Sequence, residues 1–200
     1  MPCKLPSAAA LLLFLAACAG QPVNAPSDSN WQQHSAKLRE LTQWSAEGKL
    51  ALRTPEQSES ASFNWRQTGV ITRLQLSGPL GVAATTLYNN GQTLEIRQGE
   101  ELSTWDLTDT GALARETGWD LPLTALPHWI KGLPAPDIDI QDIQMGPDPA
   151  RIEVLKQDDW EIRYEAYEAF STLMLPTQLH IQREDTTVRL IIRDWQITPD

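Results

Sequence analysis

The segment Trp160-Glu161-Ile162-Arg163-Tyr164-Glu165 alternates apolar and charged residues without a break. Because successive side chains of a β-strand point to opposite faces, this alternation predicts a strand with one buried and one wet face. The same period recurs along the chain, with inward positions predicted at Leu50, Leu52, Phe63, Trp65, Leu74, Leu76, Leu94, Ile96, Trp160, Ile162, Tyr164, Leu179, Ile181, Leu190 and Ile192. So many half-buried strands predict one curved antiparallel sheet or barrel.

Turn signals separate the strands. Asn90-Gly91 lies between two alternating segments, and both residues tolerate positive φ, so the pair predicts a β-hairpin. A helix is predicted to precede the first strand, with Asn30 as its cap and Trp31 as its first apolar residue. The proline-rich and aspartate-rich segment 134–149 is predicted to be a loop.

A second helix is predicted in the middle of the chain. Leu126, Trp129 and Ile130 follow helical spacing, with Thr124 as a cap and Gly132 as a stop. Residues 111–117 carry a weaker helical signal. Helices inserted between strands are expected to cross the apolar face of the sheet as a lid, and so to enclose a hydrophobic cavity.

The N-terminus carries an export signal. The apolar run 8–17 follows a basic end and is too short to span a membrane, which takes about 20 apolar residues. The run ends Leu15-Ala16-Ala17-Cys18, which is the bacterial lipobox pattern. We therefore expect residues 1–17 to be a signal peptide and Cys18 to carry a covalent N-acyl diacylglycerol. The alternative is an ordinary secretory signal followed by an incidental cysteine.

The rest of the chain is expected to have a tether and a domain. Residues 18–30 have no apolar periodicity and predict a flexible segment, and residues 31–200 have the length of a single domain. Cys3 leaves with the signal peptide, so no disulfide is expected. Ala19 follows the lipidated cysteine in place of the aspartate that retains enterobacterial lipoproteins in the inner membrane, which favours the outer membrane.

Composition and motifs argue against several classes of function. The net charge of −10 at pH 7 argues against nucleic-acid binding, which needs clustered Lys and Arg. His34, His128 and His180 lack metal-ligand spacing, and no G-x-S-x-G nucleophile elbow is present. We therefore expect no catalytic residues, no metal and no cofactor other than the lipid.

Several motifs carry a resemblance to a known family along nearly the whole exported chain. They are Trp31-Gln32-Gln33-His34, Gly48 placed before the first strand, Phe63-Asn64-Trp65-Arg66-Gln67, Gly78-Pro79-Leu80-Gly81, the block from Pro122-Leu123 through Trp129 to Gly132-Leu133-Pro134, and the spacing of Trp160, Tyr164, Tyr167, Pro176, Leu179, Leu190 and Trp195. The sequence resembles the LolB family of outer-membrane lipoprotein receptors. The resemblance implies an unclosed, strongly curved antiparallel sheet, a half-barrel covered by a helical lid over a hydrophobic cavity.

The resemblance also implies a function. A LolB-like protein accepts lipoproteins from the periplasmic carrier LolA and inserts them into the inner leaflet of the outer membrane, facing the periplasm. The implied partners are LolA, acylated lipoproteins as cargo, and outer-membrane phospholipid, and the chain is expected to be a monomer.

The resemblance assigns candidate sites. Pro79, Leu80 and Gly81 form the predicted membrane-insertion loop, with Leu80 projecting; from the residues alone, Leu80 could instead tuck into the core. The candidate acyl-chain cavity is lined by the inward strand positions given above together with Leu126, Trp129 and Ile130. For each of these, plain core packing is the alternative.

Two other functions stay open on the sequence alone. A lipid-anchored carrier of other lipids, or a structural envelope lipoprotein, has the same signal peptide and the same amphipathic strands. An anchored hydrolase is unsupported by any motif, and no enzymatic activity is expected.

Overall fold

The computed structural model describes residues 29–56, 58–78, 84–107 and 122–197. Within these ranges lie two helices, α1 (Ser29–Glu40) and α2 (Leu126–Trp129), and eleven strands: β1 (Gln43–Arg53), β2 (Ser58–Thr68), β3 (Ile71–Ser77), β4 (Thr85–Asn89), β5 (Thr93–Gln98), β6 (Glu101–Asp106), β7 (Ile140–Met145), β8 (Ile152–Gln157), β9 (Trp160–Phe170), β10 (Leu173–Arg183) and β11 (Thr186–Ile197).

All eleven described strands form one sheet, in the order β6-β5-β4-β3-β2-β1-β11-β10-β9-β8-β7. Each neighbouring pair is antiparallel, and most pairs are consecutive in the chain. The exception is β1, which lies at the centre and pairs with both β2 and β11. The predicted unclosed antiparallel sheet is therefore confirmed, with β6 and β7 as its edges.

One face of the sheet packs against both helical segments, and we call it the inner face. Its core cluster includes Trp31 and Leu38 of α1, Trp129 and Ile130 at α2, and the strand residues Ile162, Leu179 and Leu190. Trp44 lies at the sheet centre, with its ring centroid 5.5 Å from that of Trp65 and 5.2 Å from that of Trp195. Aromatic pairs at these distances add stability beyond their buried area.

A buried lysine ties α1 to the α2 segment. Lys131 Nζ donates hydrogen bonds to the carbonyl oxygens of Leu38 and Leu41, at 3.1 and 3.0 Å. These carbonyls lie at the end of α1, where helix carbonyls lack intrahelical partners. Burial disfavours the ammonium and lowers the pKa of Lys131 to about 8. The charge is therefore retained at pH 7, where it bonds to the end of the helix.

Both predicted helices exist, but their caps were wrong. Asn30 lies inside α1, which begins at Ser29. At α2 the cap position is Ala125, not Thr124, and no side chain caps the helix. Gly132 is confirmed as the stop, since its φ of +80° is a conformation that favours glycine. Among the described residues, neither helix is long and apolar enough to cross a membrane.

Two strand predictions were also wrong. Gly48 lies within β1, not before the first strand. The segment 134–149 contains β7, although it was predicted to be a loop. The register of β7 against β8 shifts twice, between Ile140 and Asp142 and between Gln144 and Met145, and these bulges break the alternation by which a strand is recognised. The predicted hairpin is confirmed: Gly91 has a φ of +88°, and Asn90 Oδ1 accepts from the backbone N–H of Gln92 and of Thr93.

Candidate functional site

The acyl-chain candidates divide by burial into two groups. The larger group is buried in the core: Leu52, Phe63, Trp65, Leu94, Trp129, Ile130, Trp160, Ile162, Tyr164, Leu179, Ile181, Leu190 and Ile192. The smaller group is only half-buried, although it packs against the same clusters: Leu50, Leu74, Leu76, Ile96 and Leu126. The fold thus leaves a limited set of large apolar side chains incompletely covered on its inner face.

The half-buried strand residues lie mostly towards the β6 edge of the sheet. Four apolar residues on neighbouring strands are register partners of one another, and we call them the apolar row: Trp65 of β2, Leu74 of β3, Leu87 of β4 and Ile96 of β5. Leu87 and Leu94 form a small core of their own, separate from the main cluster. Leu74 packs against both clusters, so the apolar row connects the main core to the small one.

Next to the apolar row is a row of polar side chains. Register aligns Gln67, Thr72 and Asn89 across β2, β3 and β4, and we call these three residues the polar row. All three are buried. Gln67 Oε1 accepts from Trp65 Nε1 and from Thr72 Oγ1, while Gln67 Nε2 donates to the carbonyl oxygen of Gly69. These bonds fix Gln67 and Thr72 in the row and satisfy the side-chain amide of Gln67.

A pocket of about 250 Å³ lies over the polar row. It is also lined by residues just before and within α2, including Leu123 and His128, and by Asp137 further along the chain. Asn89 and His128 carry hydrogen-bonding groups there that have no partner among the described residues. Asn89 Oδ1 accepts from the backbone N–H of Gly91 at 2.7 Å, but its Nδ2 donates to none of the described residues, and neither does the ring of His128.

The three histidines lie in different elements, with His34 in α1, His128 in α2 and His180 in β10. Among the described residues, no three His, Cys, Asp or Glu side chains lie together as metal ligands would. Burial lowers the pKa of His128, and the nearby Lys131 ammonium lowers it further, while Asp137 acts against both. The imidazole of His128 is therefore neutral at pH 7, with one N–H donor and one acceptor nitrogen.

Comparison with known proteins identifies the family. The family described as outer membrane lipoprotein LolB matches residues 42–195. The chain belongs to the LolB family. It is 33% identical over 189 residues to the outer-membrane lipoprotein LolB of Tolumonas auensis, covering 93% of each chain. It is also 33% identical to the LolB of Alkalilimnicola ehrlichii over 191 residues, covering 96% of this chain and 94% of that protein.

The fold has relatives among solved structures as well. A LolA superfamily protein from Nitrosomonas europaea superposes with a TM-score of 0.55 at 10% identity, over 84% of this chain and 94% of that one. Membership of the LolB family confirms the predicted family and outer-membrane lipoprotein class, and agrees with a receptor function. LolB is not a known enzyme family.

Some predicted site residues lie outside the described residues. They are Cys18, the loop residues Pro79, Leu80 and Gly81, and the weaker helix at 111–117. Conversely, sequence reasoning missed the polar row and its pocket. Asn89 follows Leu87 with a spacing of two, so the alternation could have marked it as an inward-facing polar residue.

Proposed function

We propose that this LolB-family protein accepts acylated lipoproteins from LolA and inserts them into the inner leaflet of the outer membrane. The observation that supports this most is the apolar row with its half-buried neighbours, which offers uncovered hydrocarbon on the inner face of the sheet. Anchored by lipid on Cys18, the domain would act at the membrane surface. Two or more acyl chains suffice for stable anchoring.

The chemistry of the inner face suits acyl chains of varied cargo. Leu74, Leu76 and Ile96 are half-buried, so a bound chain would remove apolar surface of both partners from water. Such burial contributes about 25 cal/mol per Å². Recognition by apolar area carries no side-chain specificity, which fits a receptor whose cargo proteins share only their lipid.

The helical segments complete the proposed cavity. Trp129 and Ile130 are buried against the sheet, while Leu126 one turn earlier is only half-buried. We infer that α2 forms part of a lid, with Leu126 towards the acyl chains and Trp129 in the supporting core. Transfer needs no energy source if each acceptor in turn binds the acyl chains more tightly than the donor does. Each 1.4 kcal/mol of additional binding free energy shifts the equilibrium constant for transfer about tenfold towards the acceptor.

The acceptance step gives a direct test. LolA loaded with a radiolabelled lipoprotein is mixed with residues 29–200 of this chain, which retain every contact described above. The wild type should take up the cargo. Leu76→Glu places a carboxylate on the half-buried inner face, and we expect uptake about tenfold lower, since a charge there costs more than 1.4 kcal/mol against hydrocarbon.

Gln75→Glu is the matched control, because it adds the same side chain one residue away on the exposed outer face. Equal melting temperatures of the two variants show that the fold is intact. Uptake by Leu76→Glu equal to that by Gln75→Glu would remove the inner face from the binding site. A wild type that takes cargo only from free lipid micelles, and never from LolA, would favour a general lipid carrier.

A further inference from the structure

We infer that the pocket over the polar row binds the polar linker of the cargo lipid, through its ester and amide carbonyl oxygens. This inference rests on the proposed function, because it assumes that the acyl chains lie along the apolar row. It adds a second subsite of different chemistry, formed by Asn89 and His128.

The pocket presents uncharged hydrogen-bond donors, which suit an uncharged acceptor. Asn89 is 4% exposed and lines the pocket, and its Oδ1 accepts from the N–H of Gly91. Its Nδ2 has no acceptor among the residues that the structure describes, and so is the donor left for a ligand. His128 lies across the pocket and, being neutral, brings one further N–H. Neither group is charged at pH 7, so the pocket favours carbonyl oxygens over a phosphate or a carboxylate. Asp137, the one carboxylate among the described lining residues, is exposed and repels anions further.

The pocket is adjacent to the apolar site. Leu123 lines the pocket and also packs against the small apolar cluster of Leu87 and Leu94. Each residue of the polar row lies two positions along its strand from a residue of the apolar row. The two rows are therefore roughly 7 Å apart, the spacing of alternate residues in a strand. A lipid whose carbonyls reach Asn89 would therefore have its hydrocarbon next to Leu74 and Leu87. At about 250 Å³, the pocket suits a glyceryl-cysteine linker and not several acyl chains.

The placement also orients the cargo. The polar row lies next to the β2–β3 turn at Gly69 and the β4–β5 turn at Gly91. The segment 78–84, which contains Leu80, joins β3 to β4 at the opposite strand ends. With the linker in the pocket, the acyl chains would run from the polar row towards the end of the sheet that carries the proposed membrane-insertion loop.

The test separates the linker from the hydrocarbon. Residues 29–200 are loaded with diphenylhexatriene, a fluorescent hydrocarbon that has no hydrogen-bonding group, and a triacylated cysteinyl lipopeptide is used to displace it. Asn89→Asp keeps the acceptor for the Gly91 N–H but removes the donor, and His128→Phe keeps the ring but removes its N–H. We expect both variants to bind the hydrocarbon as the wild type does, and to need about three- to tenfold more lipopeptide for displacement.

Two further variants serve as controls. Asn90→Asp adds the same charge at the next residue, whose side chain keeps its acceptor role in the turn and does not line the pocket. It should behave as the wild type does. His128→Gln restores a donor and should regain most of the lipopeptide affinity, which a purely structural role of the ring would not produce.

The outcomes distinguish this inference from the proposed function. Displacement from Asn89→Asp and His128→Phe at the wild-type lipopeptide concentration overturns the linker subsite and leaves the acyl-chain site standing. Failure of the lipopeptide to displace the hydrocarbon from the wild type overturns the proposed function, and the linker subsite with it. Displacement by a phospholipid tells which carbonyls are bound. If the two variants lose affinity for phospholipid as much as for lipopeptide, the subsite binds the glycerol esters. If they lose affinity for the lipopeptide alone, it binds the cysteinyl amide.

Discussion

Replacing Gly48 with alanine is expected to lower the free energy of unfolding by about 4 kcal/mol, a large effect for a single substitution. A Cβ at this position would lie 2.0 Å from the backbone carbonyl oxygen of Ile191. The obstacle is backbone and cannot rotate away. It lies where the register of β1 against β11 shifts between Glu47 and Gly48, at the centre of the sheet.

Urea denaturation of the wild type and of Gly48→Ala measures the difference. Gly146→Ala is the matched control, because its Cβ would find its nearest neighbour at 3.7 Å, an ordinary contact, and its backbone is not in the left-handed region. That variant should stay within about 0.5 kcal/mol of the wild type. A Gly48→Ala protein as stable as Gly146→Ala would mean that the bulge between β1 and β11 is absent in solution.

Replacing Gln157 with leucine is expected to cost about 4 kcal/mol and to lower the melting temperature by roughly 10 °C. Gln157 is fully buried, and all of its side-chain hydrogen-bonding groups are used. Its Oε1 accepts from Trp129 Nε1 at 2.9 Å and from the Ala135 N–H at 2.8 Å. Its Nε2 donates to the carbonyl oxygens of Ala135 and Ile138, at 3.0 and 2.6 Å.

Leucine has nearly the same size but would leave these buried partners unpaired, each at a cost of about 1–3 kcal/mol. The partners lie in α2 (Trp129) and in the segment between α2 and β7 (Ala135 and Ile138). The loss should therefore first loosen this part of the chain from β8, and hydrogen exchange of the Ala135 amide should speed up. Gln182→Leu, on the exposed outer face of β10, provides the comparison. Equal melting temperatures for the two leucine variants would show that the hydrogen bonds of Gln157 do not hold α2 against β8.

The alternation of apolar and polar residues was sufficient to predict the sheet. A strand such as β9 or β1 has one solvent-exposed and one buried face, so its hydrophobicity alternates with a period of two wherever the strand pairing is regular. The prediction failed at β7, where two register shifts interrupt the period, and at Gly48, where a bulge puts a glycine inside a strand. The cap residues of the helices were predicted wrongly for a different reason. Ala125 precedes α2 without any side-chain bond, so the local sequence marks that boundary only by Pro127 in the first turn. Tertiary hydrogen bonds of Trp129 and Lys131 hold the segment in place.

The candidate site was only partly predictable for a similar reason. Alternation assigns Trp160 and Leu74 to the same face, but it cannot show that one is fully buried in the core and the other is half-covered. That difference depends on which strands lie under the helices, which follows from the sheet order. The polar row shows the same limit, since Gln67 and Asn89 come together only through the register of β2, β3 and β4.

The most direct test of the proposed receptor function follows cargo from carrier to membrane. LolA loaded with a radiolabelled lipoprotein is mixed with residues 29–200, in wild-type and Leu80→Glu forms, and liposomes are then added. We predict that the wild type delivers the label to the liposomes, while Leu80→Glu accepts it and retains it, because a charged loop tip cannot enter hydrocarbon. If the wild type takes no label from LolA, the chain is not a receptor for that carrier, and a general lipid-binding lipoprotein becomes the better description.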